Sequence, residues 1–413
     1  MTLAARPRPS TPAANLSRRD LMRSMGVAAL ALGALGVTAC SSREVVSETA
    51  GTGAAGGPIT VVDQYQNTVT FDTPVGRIAS TIIPVPSMII GSDQSTARNV
   101  GVNEVAISMA SKGMLGTMFP AFLDTPVVAG NDFVPNVEHI LSLNPDVVIQ
   151  WGDKGDDIVA PLRNAGLKVL LLKYGTQEDL EAWISIFGEL LGKKSEADAV
   201  LATMAADRKT VEKAAAAHAS AAPRVMYMYN APDLKVGADN SYMDFWIKLA
   251  GGKNVASGAG KGSSFGVTRE QILGWDPEIV ILGNFEPTTP ADIYADPRWS
   301  SLSAVKNKRV YKAPLGGFSW DPPCYESNLM WLWTNSVFFP DVDHQLRGRI
   351  RETYRTLYAY DVTDADIDRI LHLPVNAGSA DYDDFRASCS PCSSVVGWPW
   401  AARHYRRRSA ILW

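Results

Sequence analysis

The sequence is short of everything that would build a disulfide scaffold or a bare-ion site. Four cysteines stand among 413 residues: Cys40 near the start, Cys324 alone, and Cys389 with Cys392 in the tail, so no framework of bridges holds the chain. The five histidines, His139, His218, His344, His372 and His404, are scattered and never paired at ligand spacing, which argues against capture of naked Zn or Mn. A basic excess is missing too: 39 Lys and Arg face 43 Asp and Glu, a net charge of -4, which leaves no footprint for nucleic acid. After the N-terminal region no stretch is apolar for long enough to cross a bilayer. Proline is absent from 177–219, so nothing in that stretch forbids long helix.

What is present begins with an export signal. Arg6, Arg8, Arg18, Arg19 and Arg23 form a cationic region, and 27–37 is an uncharged, apolar and glycine-rich run too short to span a membrane. Ser17-Arg18-Arg19-Asp20-Leu21-Met22 fits the twin-arginine pattern, and Val37-Thr38-Ala39-Cys40 resembles a bacterial lipobox, whose cysteine becomes the acylated first residue. Residues 1–40 are therefore expected to be a signal segment, leaving the protein lipid-anchored through Cys40 on the outer face of the cell membrane. Residues 41–58, rich in Ser, Gly, Ala and Thr, read as a flexible tether. At the other end, 386–413 turns to Ser, Pro, Trp and Arg and reads as a disordered tail.

Between these ends, short β-rich runs alternate with longer helical patterns, which predicts an α/β protein with mainly parallel sheets. Candidate strands are 77–83, 146–151, 168–172, 224–229, 278–283 and 309–312, with a leading hairpin over 59–71. Leu180, Trp183, Ile184, Phe187, Leu190 and Leu191 recur at helical spacing within 177–219, where Gly192 is a candidate break. That stretch is expected to connect an N-terminal lobe, 59–176, to a C-terminal lobe, 220–385. An internal near-repeat supports the division. Glu138, Ile140-Leu141, Pro145-Asp146 and Val148-Ile149 return as Glu270, Ile272-Leu273, Pro277-Glu278 and Val280-Ile281 at identical offsets. Each copy reads as a short helix with an acidic first turn, a proline that stops it, and a buried strand. Two copies flanking the connector imply two lobes of corresponding architecture with a ligand cleft between them.

From about Ile59 to Asp384 the chain resembles the class III periplasmic-binding-protein fold, in which a single long helix bridges two lobes. The resemblance is carried by Val62-Asp63, by Pro74-Val75-Gly76-Arg77-Ile78, by the two Pro-[Asp/Glu]-x-Val-Ile segments, and by Phe318-Ser319-Trp320-Asp321-Pro322-Pro323 before an aromatic helix. It implies a monomeric solute-binding component of an ABC importer, serving siderophores, haem, cobalamin or some metal ions, with no enzymatic activity and no cofactor. It also implies small closure on ligand binding and an acidic residue on each lobe that docks to arginines of the permease, here Glu138 and Glu270.

Rival chemistry has weaker support. Gly262-Ser263-Ser264-Phe265-Gly266 matches a nucleophile elbow, but the polar, glycine-rich stretch before it holds no strand. A lipid-anchored hydrolase acting through Ser264 is the alternative it leaves; a ligand-sensing lipoprotein is another. Lys261 lacks the glycine spacing of a phosphate loop. Candidate ligand contacts are the residues at or just past strand ends, where α/β proteins bind ligands: Pro84, Ser87, Trp151, Tyr174, Tyr229, Asn230, Phe285 and Trp320. Aromatic faces there suit the organic shell of an iron-siderophore or similar metal chelate, and Asn and Tyr suit oriented hydrogen bonds. Lys112, Lys154, Lys261 and Arg298 offer positive charge to an anionic chelate.

Overall fold

The computed structural model describes residues 58–387; Cys40, the signal segment, the tether up to residue 57 and the tail from residue 388 lie outside the described residues. The chain opens with an antiparallel hairpin, β1 (Ile59–Val62) and β2 (Thr68–Phe71). Buried Asp63 shapes its turn. One carboxylate oxygen accepts the amides of Tyr65 (2.8 Å) and Asn67 (2.9 Å), and the other accepts Leu171 N at 3.0 Å, which ties the hairpin to the first large sheet.

That sheet is all parallel: β3 (Ile78–Ser80), β4 (Asn99–Asn103), β5 (Val127–Ala129), β6 (Val147–Trp151) and β7 (Val169–Leu172), in the order β5-β4-β3-β6-β7. Every residue of β6 and β7 is buried, as expected of Val, Ile and Leu runs covered on both faces. The second sheet contains β8 (Arg224–Asn230), β9 (Lys235–Val236), β10 (Lys253–Asn254), β11 (Phe265–Gly266), β12 (Ile279–Leu282) and β13 (Val310–Lys312). Its path is β11-β9-β8-β12-β13, with β10 beside β8; β10, β8, β12 and β13 are parallel, and β9 is antiparallel to both its neighbours, β8 and β11. Thus β10-β8-β12-β13 repeats the arrangement β4-β3-β6-β7.

The near-repeat is a structural brace in both lobes. Helices Val137–Ser142 and Arg269–Trp275 each end beside a residue in the left-handed region, Asn144 (φ 45) and Asp276 (φ 44), directly before the proline. In the first lobe Asp146 accepts the amides of Gly76 and Arg77, both at 2.8 Å, while Arg77 Nε donates to Asn144 O at 3.0 Å. In the second, Glu278 accepts Arg224 N at 2.8 Å and Arg224 Nη2 donates to Asp276 O at 2.9 Å. One acid and one arginine thus lock each short helix to the strand next to β6 or β12.

The helical run between the sheets divides at Gly192, whose φ of 68 closes helix Gln177–Leu191. A Thr176–Asp179 capping box starts that helix, which lies against β1 and helix Val85–Asp93. Helix Lys194–Ala217 then runs 24 residues, about 36 Å at 1.5 Å per residue, and packs on helices Ser327–Phe338 and Tyr242–Leu249 of the second lobe. Among the described residues no helix is long and apolar enough to cross a membrane.

Candidate functional site

The lobes meet through helices and through the bend around Gly316. Met114 N donates to Gly316 O at 2.7 Å, Tyr242 OH donates to Gln177 Oε1 at 3.0 Å, and Ser92 and Tyr325 share a hydroxyl hydrogen bond of 2.7 Å. Arg369 donates to Lys112 O (3.0 Å), Gly113 O (2.9 Å) and Thr117 Oγ1 (2.9 Å). A small apolar cluster straddles the junction: Ile83 and Met109 from the first lobe pack with Leu315, Phe318 and Cys324 from the second, and Phe133 and Phe285 lie against it.

Two aromatic walls flank this junction. On the first lobe the half-buried rings of Phe133 and Tyr174 are backed by Trp151, buried at the end of β6, which meets them edge-on with centroids 6.3 Å and 5.6 Å away. On the second, Tyr229 stacks on Phe285 at 5.9 Å with 22° between the rings. Lys154 Nζ stands 5.9 Å from the Phe133 centroid, a cation on the rim of the first wall. The indole N–H of Trp151 is buried with no hydrogen-bond partner among the described residues.

Between the walls lies a buried polar floor. Asp321 is fully buried and accepts hydrogen bonds from the Tyr227 and Ser319 hydroxyls; Asn284 Nδ2 in turn donates to Ser319 Oγ at 2.9 Å. Burial raises the Asp321 pKa, while those two hydroxyls and the charge of Lys312 oppose the rise. Lys312 donates to the carbonyls of Glu286 (2.7 Å) and Thr288 (3.0 Å), and burial lowers its pKa against the pull of Glu286 and Asp321. Tyr174 keeps part of its surface exposed, yet its hydroxyl sits among groups of the second lobe. Burial raises its pKa first, then the charges of Asp321 and Tyr229, and a hydrogen bond with Ser263 offsets part of this. Residues of both lobes therefore feel the same buried carboxylate.

Of the predicted contacts, Trp151, Tyr174, Tyr229 and Phe285 come together here. Pro84 and Ser87 do not face the cleft: both are buried, and the Ser87 hydroxyl is spent on Pro84 O at 2.7 Å within the first turn of a helix. Asn230 uses its Oδ1 to accept Asp233 N at 2.8 Å and shapes a turn. Trp320 is a correction: it is 0% exposed and its Nε1 donates to Glu326 Oε2 at 2.6 Å, so it belongs to the core beneath the loop. Sequence reasoning missed Phe133, because β5 before it is only three residues long, and missed Tyr227, Ser263 and Asp321. Asp321 lies in the Ser319-Trp320-Asp321-Pro322-Pro323 stretch, but nothing local marks it as the buried acid. Arg298 is paired with Asp296 and Lys261 is exposed.

The described histidines are committed elsewhere. Their rings meet Val127 O (His139, 3.1 Å), Asp341 (His218, 3.0 Å), Asn335 (His344, 2.7 Å) and Ala313 O (His372, 2.9 Å). Among the described residues no group of three or more His, Cys, Asp or Glu is placed to hold a metal ion. Ser264 is exposed in a turn that leads into the two-residue strand β11, not out of a strand as an elbow requires. Glu138 and Glu270 are exposed in the first turns of their helices; the Glu270 pKa is lowered by its own backbone amide and the Thr268 hydroxyl.

Residues 95–315 match the profile of the periplasmic binding protein family. The chain belongs to that family. A solved periplasmic solute binding protein from Veillonella parvula superposes with a TM-score of 0.70 at 33% identity, covering 78% of this chain and 99% of that one. The molybdate-binding protein MolA of Haemophilus influenzae is 25% identical over 254 residues, 55% of this chain and 72% of the relative. A cobalamin-binding protein of Halobacterium salinarum is 27% identical over 258 residues, 62% of this chain and 66% of the relative. These relatives are binding proteins rather than enzymes. As a periplasmic binding protein of the class III fold, this chain carries a transported solute, not a cofactor, to the permease of an ABC importer.

Proposed function

We propose that this periplasmic binding protein is an extracytoplasmic lipoprotein, anchored through Cys40, that delivers an iron-siderophore or similar metal chelate to its importer. The observation that carries the reading is the pairing of two aromatic walls with a floor made of a carboxyl, hydroxyls and amides. Aromatic faces attract the organic shell of a chelate, and oriented hydrogen bonds set its register. A metal already wrapped by its own ligands asks for no protein ligands, which suits a chain whose described histidines are engaged in other contacts. Relatives named for cobalamin and molybdate bracket the ligand chemistry as metal-centred. Lipid anchoring keeps the protein beside its permease, and Glu138 and Glu270 supply the docking charge.

Intrinsic tryptophan quenching tests this reading, because Trp151 lies in one wall. A ferric catecholate, a ferric hydroxamate, haem, cobalamin, molybdate and free Fe, Zn and Mn form the panel. Binding of at least one chelate with a Kd of about 1 μM or tighter, roughly -8 kcal/mol, is expected, with little response to free ions. Tight binding of a bare ion or of molybdate together with indifference to every chelate would overturn it.

A further inference from the structure

Loop 313–326 contains a second fully buried carboxylate, Glu326, which is separate from the polar floor around Asp321. Each of its oxygens accepts two hydrogen bonds, all from neutral donors. Oε1 takes Gly317 N at 2.9 Å and Tyr358 OH at 2.7 Å; Oε2 takes Trp320 Nε1 at 2.6 Å and Tyr354 OH at 2.9 Å. Removing a carboxylate from water costs several kcal/mol, and an apolar residue of similar volume often packs as stably. A network this fully satisfied contributes geometry: it admits one arrangement of the groups it gathers.

Two of those groups, Gly317 and Tyr358, lie at the contact with the other lobe. Gly317 follows Gly316, whose carbonyl accepts Met114 N across the junction at 2.7 Å. Leu315 and Phe318, on either side of the two glycines, pack with Ile83 and Met109. Tyr358 meets Phe119 of the first lobe edge-on, with centroids 6.3 Å apart. The fit at the glycines leaves no slack: a Cβ on Gly316 would collide with Glu326 Oε2, and one on Gly317 would lie 2.6 Å from Oε1. We propose that Glu326 is a positioning residue for ligand capture, fixing the spacing of the two lobes by ordering the 315–318 bend and Tyr358 against the first lobe. The proposal rests on the reading of the cleft as the chelate site.

The test uses the mature protein with Tyr354→Phe and Tyr358→Phe combined, and separately Glu326→Gln. The double tyrosine variant keeps both rings and removes two of the four donors, so it serves even where Glu326→Gln does not fold. Two quantities are read: hydrogen exchange at the Met114 amide, and affinity for the same panel of chelates by tryptophan quenching. Met114 is expected to exchange at least about tenfold faster and chelate affinity to fall about tenfold, while the amides of Val148 and Val280 in the central strands keep wild-type protection. Unchanged chelate affinity, or a loss of protection spread evenly over the central strands, would overturn the positioning role. A wild-type protein that ignores every chelate would overturn the functional reading, and the capture role with it; a wild type that binds, with variants that bind equally tightly, would overturn this proposal alone.

Discussion

At the scale of single residues, local pattern and actual depth part company. Trp151 closes strand β6 and Trp320 lies in the loop after β13, and the sequence predicts both as cleft residues. Both are buried, 3% and 0% exposed, and they differ in their polar ends: Glu326 offers Trp320 Nε1 a buried acceptor, while the indole N–H of Trp151 finds none among the described residues. An acceptor supplied from six residues along the chain, and completed by tyrosines some thirty residues further on, leaves no trace in any short window. His372 makes a comparable point and yields a pH prediction. Burial, with smaller contributions from Lys312 and Arg369, pushes its pKa from 6.5 down to about 4, although its Nδ1 contact with Ala313 O works the other way. A histidine with a depressed folded pKa binds more protons when unfolded, so its share of stability is complete above pH 6.5 and is lost as pH falls toward 4. In urea unfolding, acidification from about pH 7 to about pH 4.5 is expected to cost the wild type more than His372→Asn. Equal losses in the two proteins would show that the ring titrates freely in the fold.

At the scale of elements, the sequence was most readable where the chain repeats itself. The helix, proline, acid and strand of each lobe were visible as residue types at fixed offsets. What the acid does was not visible, because its partners are the amides that open the neighbouring strand, about seventy residues away in the first lobe. Strands β4 and β5 escaped notice for a simpler reason: Asn-Val-Gly-Val-Asn has weak strand propensity, and three residues make no pattern. The brace can be tested directly. Asp146 holds two amides at 2.8 Å where Glu278 holds one. At these exposed positions water replaces part of each lost bond, so Asp146→Ala should cost about 1–2 kcal/mol and Glu278→Ala about 1 kcal/mol or less. Urea midpoints measure both, and chelate affinity should stay level in each variant. A larger cost for Glu278→Ala would mean that the arginine contacts, not the amides, dominate the brace.

At the scale of the whole molecule, the contacts that join the lobes bear on how the protein meets its permease. Five sets of cross-lobe hydrogen bonds, among them Gln94 Nε2 to Thr356 O, and a shared apolar cluster hold the lobes together, alongside the long helix Lys194–Ala217. Closure on a ligand is then small, and two surface charges on different lobes keep a nearly constant separation. Glu138 and Glu270 are such a pair. Each begins a helix that runs back before its strand, so both lie toward the strand-end side where the cleft opens. Charges held at fixed spacing can engage two cationic sites at once, and the second contact becomes effectively intramolecular after the first. Complementary charge of this kind governs encounter rate and orientation more than ligand affinity, and salt screens it within about 8 Å at physiological ionic strength. Glu138→Gln and Glu270→Gln should therefore leave chelate affinity within about twofold of wild type while slowing association with permease-containing vesicles. The double variant should be slowest, and the difference from wild type should shrink as salt is raised. Wild-type uptake by the double variant at low protein concentration and low salt would leave both glutamates as helix-start residues with no part in docking.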